Sequence, residues 1–331
     1  MAAPPVVDLP VADERLAEEV ATGLAAVEQQ LRACVESEDA FLTEASKHLI
    51  EAGGKRFRAM LVLLAAQFGT PSAAGVVPGA VVMELTHLAT LYHDDVMDEA
   101  PVRRGSPSAN VRWNNTVAIL TGDYLFAQAA DMLADLGPEA VRIQARTFSR
   151  LIRGQIRETV GAAPDADPIE HYLGVLADKT GSLIATSGQF GALLSGAPAE
   201  IVTRVTIACE AIGVAWQLGD DIIDVASDAA GSGKTPGTDL REGIRTLPVL
   251  YALAATEPSE ARLRALIAGP VAEEDVPEAL GLLRKSEALS QARAELARWV
   301  TRGKSELAGL PDIPARAALL SLCDYVVERS G

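Results

Sequence analysis

The chain is poor in aromatic residues, in cysteine and in positive charge, and each shortage removes a class of protein. Aromatics make up 4% of the 331 residues while hydrophobic residues reach 49%. With alanine and leucine dominating, that balance favours close-packed helices over strands. Cys34, Cys209 and Cys323 are odd in number, scattered and form no CxxC pair. A disulfide framework or zinc site is therefore not expected, and the three read as small buried hydrophobes. A formal charge of −16 argues against nucleic acid or an anionic membrane surface as the main partner. The first twenty residues, MAAPPVVDLPVADERLAEEV, are acidic and lack a charged-then-apolar leader pattern. No apolar run is expected to reach membrane-spanning length, so the expected location is the cytoplasm.

Strand alternation and low-complexity linkers are missing too, so one all-α domain is expected over 1–331, with residues 1–10 expected to be disordered. Helical spacing of apolar residues places helices over 12–36, 38–52, 58–68, 75–93, 117–136, 138–160, 168–194, 199–225 and 247–255, with shorter ones after 257. Between them lie a glycine stop at Gly53-Gly54, a basic loop at 101–108 and a Gly, Ser, Thr and Lys-rich loop at 228–245.

Two acidic runs share one spacing: Asp94-Asp95-Val96-Met97-Asp98 and Asp220-Asp221-Ile222-Ile223-Asp224. On a helix, residues four apart lie above one another, so Asp94 with Asp98, and Asp220 with Asp224, form two-carboxylate claws with Asp95 and Asp221 beside them. Such crowding repels itself unless something neutralises it. Magnesium is the natural neutraliser, since it takes oxygen ligands and binds through one or two carboxylates plus substrate phosphates. Either run alone reads equally well as a solvated acidic face. The apolar or small stretches before them, 85–92 and 211–219, point instead to a cavity.

Basic residues stand where diphosphates would need them. Lys55 and Arg58 follow the paired glycines, Arg103-Arg104-Gly105 follows the first acidic run, Gly233-Lys234 follows the second, and Lys179-Thr180 lies in mid-helix. Any one of these alone is an ordinary surface charge. His87 reads either as a packed histidine or as part of this set; His48 and His171 read as surface or packing residues.

Taken in order, GGKRFR, LTHLATLYHDDVMDEAPVRRG, GDYLF, DKTG, WQLGDDIID and GKTPGTDLREG resemble the trans-type isoprenyl (polyprenyl) diphosphate synthase family over 38–250. The resemblance implies an antiparallel helical bundle around a deep central cavity, a homodimer, and roughly three magnesium ions per active site. It implies metal binding by Asp94, Asp95, Asp98, Asp220, Asp221 and Asp224, with Asp94, Asp98 and Asp220 the first choice as direct ligands. Arg103, Lys179, Gln217 and Lys234 would contact the allylic diphosphate. Gly54, Lys55, Arg58, His87 and Arg104 would bind isopentenyl diphosphate, and Thr180 would lie near the reacting carbons. The chain departs from the family at Ile244, where lysine is frequent; Arg245 follows it and either compensates or leaves that contact dispensable. The C-terminal Glu328-Arg329-Ser330-Gly331 lacks a basic tail and receives no site.

Product length is expected to depend on the helix before Asp94. Short-chain members of the family place an aromatic ring at the position of Ala89 or Thr90, and both are small here. The next rows are Leu85 and Thr86, then Val81 and Val82, with Met132 or Leu133 as candidate floor. One helical turn is about 5.4 Å, close to one isoprene unit, so the expected product has about seven to nine units, suited to a quinone side chain and to release toward a membrane. A geranylgeranyl- or farnesyl-length product, a class I terpene cyclase and a non-catalytic synthase subunit are the alternatives. The cyclase needs no Lys55, Arg58 and Arg104 set, and a subunit would be expected to lose one acidic run.

Overall fold

A computed structural model describes residues 13–227 and 236–329. The all-α expectation holds. Helices are α1 (Glu14–Ala33), α2 (Ala40–Glu51), α3 (Phe57–Ala66), α4 (Val76–Met97), α5 (Ala109–Arg112), α6 (Asn115–Leu136), α7 (Pro138–Val160), α8 (Pro168–Leu176), α9 (Ser182–Leu194) and α10 (Ala199–Ala226). They continue with α11 (Thr238–Glu242), α12 (Leu247–Ala254), α13 (Ala261–Leu266), α14 (Val276–Leu283), α15 (Glu287–Ala308) and α16 (Pro314–Glu328). Several starts are written in the sequence: Asp13, Asn114 and Asp167 accept hydrogen bonds from first-turn amides of α1, α6 and α8, and Asp39 does the same for α2. Each such cap contributes about 1 kcal/mol.

By internal contacts the chain forms two compact units. Unit 1 comprises Met1–Phe148, Leu183–Thr206 and Gly309–Ser321; unit 2 comprises Ser149–Ser182, Ile207–Ala308 and Leu322–Gly331. In unit 1, α4 is apolar nearly all round and buried along most of its length from Val76 to Tyr92, as such a helix must be. It is flanked by α1, α3 and α6. In unit 2, α12 packs on α8 and α15.

Three local departures from the expected helix pattern bear on the site. First, 101–108 is not plain loop but a minimal hairpin, with Val102 paired to Pro107 and Arg103 to Ser106. Second, the single helix expected over 168–194 is interrupted by a π-turn, Ala177–Gly181. Third, within 228–245, residues 228–235 lie outside the described ones and 238–242 are helical because Asp224 caps them, accepting from Thr238 N at 3.1 Å and Asp239 N at 3.2 Å. The membrane expectation also needs correcting. The 28-residue α10 is long and apolar enough to span a bilayer. Half of its apolar window is buried and the helix ends in three aspartates, which fits a core helix. The three cysteines are free; Cys209 and Cys323 are buried and Cys34 partly so.

An ionic network ties α1, α4 and the turn before α3. Arg56 donates through Nε to Glu28 Oε2 at 2.7 Å and through Nη2 to Ile50 O at 3.0 Å, with Glu84 at 4.0 Å. Arg56 and Glu84 are 6% and 2% exposed, so neither can be solvated if its partner is lost. Arg56→Met is therefore expected to destabilise the protein by about 3 kcal/mol by breaking the buried pair with Glu28 and leaving buried Glu84 with only the Ala59 amide as a hydrogen-bond donor, while Glu28 keeps Arg32. A shift in urea midpoint reads this, and an unchanged midpoint would show that water reaches the site.

Candidate active site

The cationic cluster of unit 1 is built on strained backbone. Gly53 and Gly54 take φ of 93° and 139°, Arg56 takes 47°, and the hairpin tip Arg104-Gly105 takes 54° and 76°. Positive φ at both tip residues is the type I′ geometry that matches strand twist. It is unfavourable for arginine, but here the guanidinium gains the carbonyls of Leu49, at 2.9 Å, and Gly53. A Cβ on Gly54 would lie 2.8 Å from Arg104 Cζ and displace the guanidinium, and the φ of 139° itself favours glycine.

Arg58 stands close by, its Nε buried without a hydrogen-bond partner. Burial lowers its pKa to about 10, Glu84 opposes that shift and Arg104 adds to it, so Arg58 stays charged at neutral pH. His87 is held neutral, first by burial and then by Arg58, Arg104 and Arg103 around it. Gly54, Arg58, His87 and Arg104 thus come together as one cationic cluster around a neutral imidazole, with the Glu84 carboxylate beside it. Lys55 is exposed beside it.

The first acidic run ends α4. The helix extends past His93 to Met97, with Asp98 as C-cap and Glu99 at φ 49°, which puts Asp94 and Asp98 one turn apart. Asp98 is exposed and Asp94 partly so. Asp95 is fully buried and accepts from Arg103 Nε at 2.6 Å. Burial pushes its carboxyl up while Arg103 opposes this. The other carboxylate oxygen, Oδ2, is buried with no partner.

In unit 2 the residues expected around the second run line a single cavity of about 540 Å³: Lys179, Thr180, Gln217, Asp220, Asp221 and Asp224, together with Glu158, Tyr172 and Ile244. Each aspartate is engaged. Asp220 Oδ1 meets Arg329 at 3.1 Å, Asp221 accepts from Tyr172 and, at 3.4 Å, from Gln217, and Asp224 caps α11. Burial raises the Asp221 pKa to about 7, with Tyr172 and Gln217 opposing and Asp239 and Asp220 adding. Lys179 pairs with Glu158. Lys234 lies outside the described residues. Ile244 lines the cavity where the family often has lysine, whereas Arg245 turns to Ala268 O at 3.2 Å.

Sequence reasoning missed four of these groups. Arg56 sits inside GGKRFR yet acts as a buried anchor. Tyr172 and Glu158 carried no motif. The C-terminal segment, assigned no site, brings Arg329 to Asp220 and over the Trp216 ring at 3.9 Å from its centroid. The length-determining candidates divide: Leu85, Ala89 and Thr90 are buried on α4, while on α6 Leu133 is buried and Met132 partly exposed.

The donor chemistry suits a hard cation. Both runs offer only carboxylate oxygen, both end helices whose dipoles make that end negative, and Asp95 Oδ2 is an orphaned buried acceptor. Among the described residues no three ligating side chains converge, so an ion would complete its shell with water and phosphate oxygen.

Unit 1 thus carries a cationic cluster and an acidic run, and unit 2 carries a second acidic run that lines a cavity. The chain matches the polyprenyl synthetase family over residues 39–283 and belongs to that family. It is 50% identical to a nonaprenyl diphosphate synthase of Mycobacterium tuberculosis over 98% of each chain. Among solved structures it is similar to a geranylgeranyl pyrophosphate synthase of Corynebacterium glutamicum, complexed with calcium and isoprenyl diphosphate (45% identity, TM-score 0.89, 96% and 98% covered). It is also similar to a decaprenyl diphosphate synthase of Rhodobacter capsulatus (36%, 0.87, 96% and 99%).

The buried Asp221 yields a prediction of sign. Its folded pKa, about 7, lies above its unfolded value near 3.8, so the folded state binds the extra proton and metal-free stability falls as pH rises from about 4 through 7. Asp221→Asn should remove that slope and stabilise the metal-free protein at pH 8, on the order of a few kcal/mol, while abolishing turnover. Melting midpoints at pH 5 and pH 8 check this; a variant less stable at pH 8 would contradict it.

Proposed function

We propose that this chain, as one catalytic domain, condenses isopentenyl diphosphate head-to-tail with an allylic diphosphate in a magnesium-dependent reaction. The product is long, about seven to nine isoprene units. The observation that carries the reading is the pairing of two kinds of anion receptor. The Gly54, Arg58, His87 and Arg104 cluster offers cationic charge that its one buried neighbour Glu84 only partly offsets, which suits a diphosphate that stays attached throughout. The carboxylate sets, with Lys179 and Arg103 close to them, suit one that leaves.

Roles follow from charge and position. Arg58 and Arg104, with Lys55 at the rim, hold the isopentenyl diphosphate, and neutral His87 hydrogen-bonds to it without adding charge. Asp94, Asp98 and Asp220 would hold magnesium, roughly three ions per site, with Asp95, Asp221 and Asp224 ligating directly or through water. When bound, the ions neutralise the charge that grows on the leaving diphosphate. Lys179 and Gln217 stabilise the same charge as the allylic C–O bond breaks, and Lys179 must exchange Glu158 for phosphate to do so. The isopentenyl double bond then attacks the allylic cation, Thr180 lies beside the reacting carbons, and the proton lost passes to the released diphosphate. A cytoplasmic homodimer that hands its product to a membrane completes the reading.

The long product is supported by the small Ala89 and Thr90 one turn before Asp94 and by likeness to nonaprenyl and decaprenyl synthases. Incubation with farnesyl diphosphate, isopentenyl diphosphate and magnesium should give chains well beyond C20, and Ala89→Phe should shorten them. A sole C15 or C20 product from the natural chain would refute the long-chain reading. An unchanged distribution from a variant with an unaltered melting midpoint would show that the tail runs elsewhere.

A further inference from the structure

The π-turn in unit 2 is held by more charge than its size requires. Along one face of α7, Arg150, Arg153 and Arg157 all reach Asp178, the second residue of the turn. Arg153 grips the carboxylate with both Nε (2.8 Å to Oδ2) and Nη2 (3.0 Å to Oδ1). Arg150 adds Nε at 3.1 Å to Oδ1, and its Nη2 reaches Ala177 O at 3.2 Å and Glu210 of α10 at 2.6 Å. Asp178 is 6% exposed. Burial alone would push its carboxyl up, but the bonds from Arg153 and Arg150 outweigh this and hold it below the usual range.

The same face of α7 lets the turn come close. A Cβ on Gly154, between the arginines, would lie 2.6 Å from the backbone nitrogen of Lys179; no larger residue fits. One turn further, Glu158 meets the Lys179 ammonium, and both line the cavity. A π-turn accommodates one extra residue, so it rotates the side chains that follow by about 100° relative to an uninterrupted helix. The direction of Lys179 and Thr180 is therefore set by whatever stabilises this turn.

We propose that Asp178 is a positioning residue. Gripped by Arg150 and Arg153, it fixes the π-turn so that Lys179 presents its ammonium, and Thr180 its hydroxyl, to the cavity. The inference rests on the reading above that Lys179 contacts a diphosphate. Asp178 touches no substrate; it acts through its neighbour.

A double-mutant cycle tests this. Affinity for inorganic pyrophosphate in the presence of magnesium is measured by calorimetry on the full chain, with kcat and KM for the allylic diphosphate alongside. The proteins are the natural chain, Asp178→Asn, Lys179→Ala and the pair. Asp178→Asn should weaken pyrophosphate binding about tenfold in the natural background and less than twofold when Lys179 is already alanine. Asp178→Glu should recover part of the loss. Equal losses in both backgrounds, or none in either, would overturn the proposal. If Lys179→Ala itself leaves pyrophosphate binding unchanged, the role of Lys179 falls and the proposal with it, a result distinct from additive losses. Should Asp178→Asn fail to fold, Arg153→Lys keeps the charge but breaks the two-pronged grip, and the same cycle with Lys179→Ala decides.

Discussion

Mutual repulsion among carboxylates is the constraint to which the rest of this protein answers. A chain of net charge −16 places two acidic runs at the C-terminal ends of helices, where the backbone dipole is already negative. Each buried carboxylate of the two runs is given an internal partner, Arg103 for Asp95 and Tyr172 for Asp221, and half-buried Asp224 takes backbone amides. Even partly exposed Asp220 has Arg329. In each unit the carboxylates are thus held in internal pairs. A cost remains in Asp221, whose carboxyl is pushed up to about 7. Function here is held at the expense of stability, as is common where charge must be stored.

A helical scaffold supplies rigidity, but the cations are aimed by its irregular points. Arg104 sits at a type I′ tip, Arg56 in left-handed backbone locks the loop that carries Lys55 and Arg58, and Lys179 rides a π-turn. In each case a short strained segment is held by hydrogen bonds made by an arginine, whose planar fork can satisfy several acceptors at once. Strain of this kind persists only where the surroundings over-determine it. The ionic grip of Arg56 on Glu28, or of Arg153 on Asp178, is that surrounding.

Much of this could be read from sequence, because helical periodicity and the two DDxxD spacings are local signals. The helix starts at Asp39, Asn114 and Asp167 follow from side chains three or fewer residues away from the amides they cap. The grouping of Gly54, Arg58, His87 and Arg104 was legible only through resemblance, since 50 residues of chain separate the loop from the hairpin tip. What periodicity could not reveal were features set by distant partners. The break at Ala177–Gly181 depends on arginines more than twenty residues earlier, α11 is capped by Asp224 from 14 residues earlier, and Arg329 reaches Asp220 from more than a hundred residues away. Tyr172 and Glu158 carry no motif, and their roles exist only once the cavity is formed.

The proposed pairing of a cationic cluster with two carboxylate runs is what would separate a condensing enzyme from its rivals. A cyclase ionises a single allylic substrate, and a non-catalytic subunit ionises none. The decisive measurement is diphosphate release by the purified chain alone, with magnesium and an allylic diphosphate, in the presence and absence of isopentenyl diphosphate. Release that requires both substrates is the predicted result. Release from the allylic substrate alone, or no release under either condition, would contradict the account.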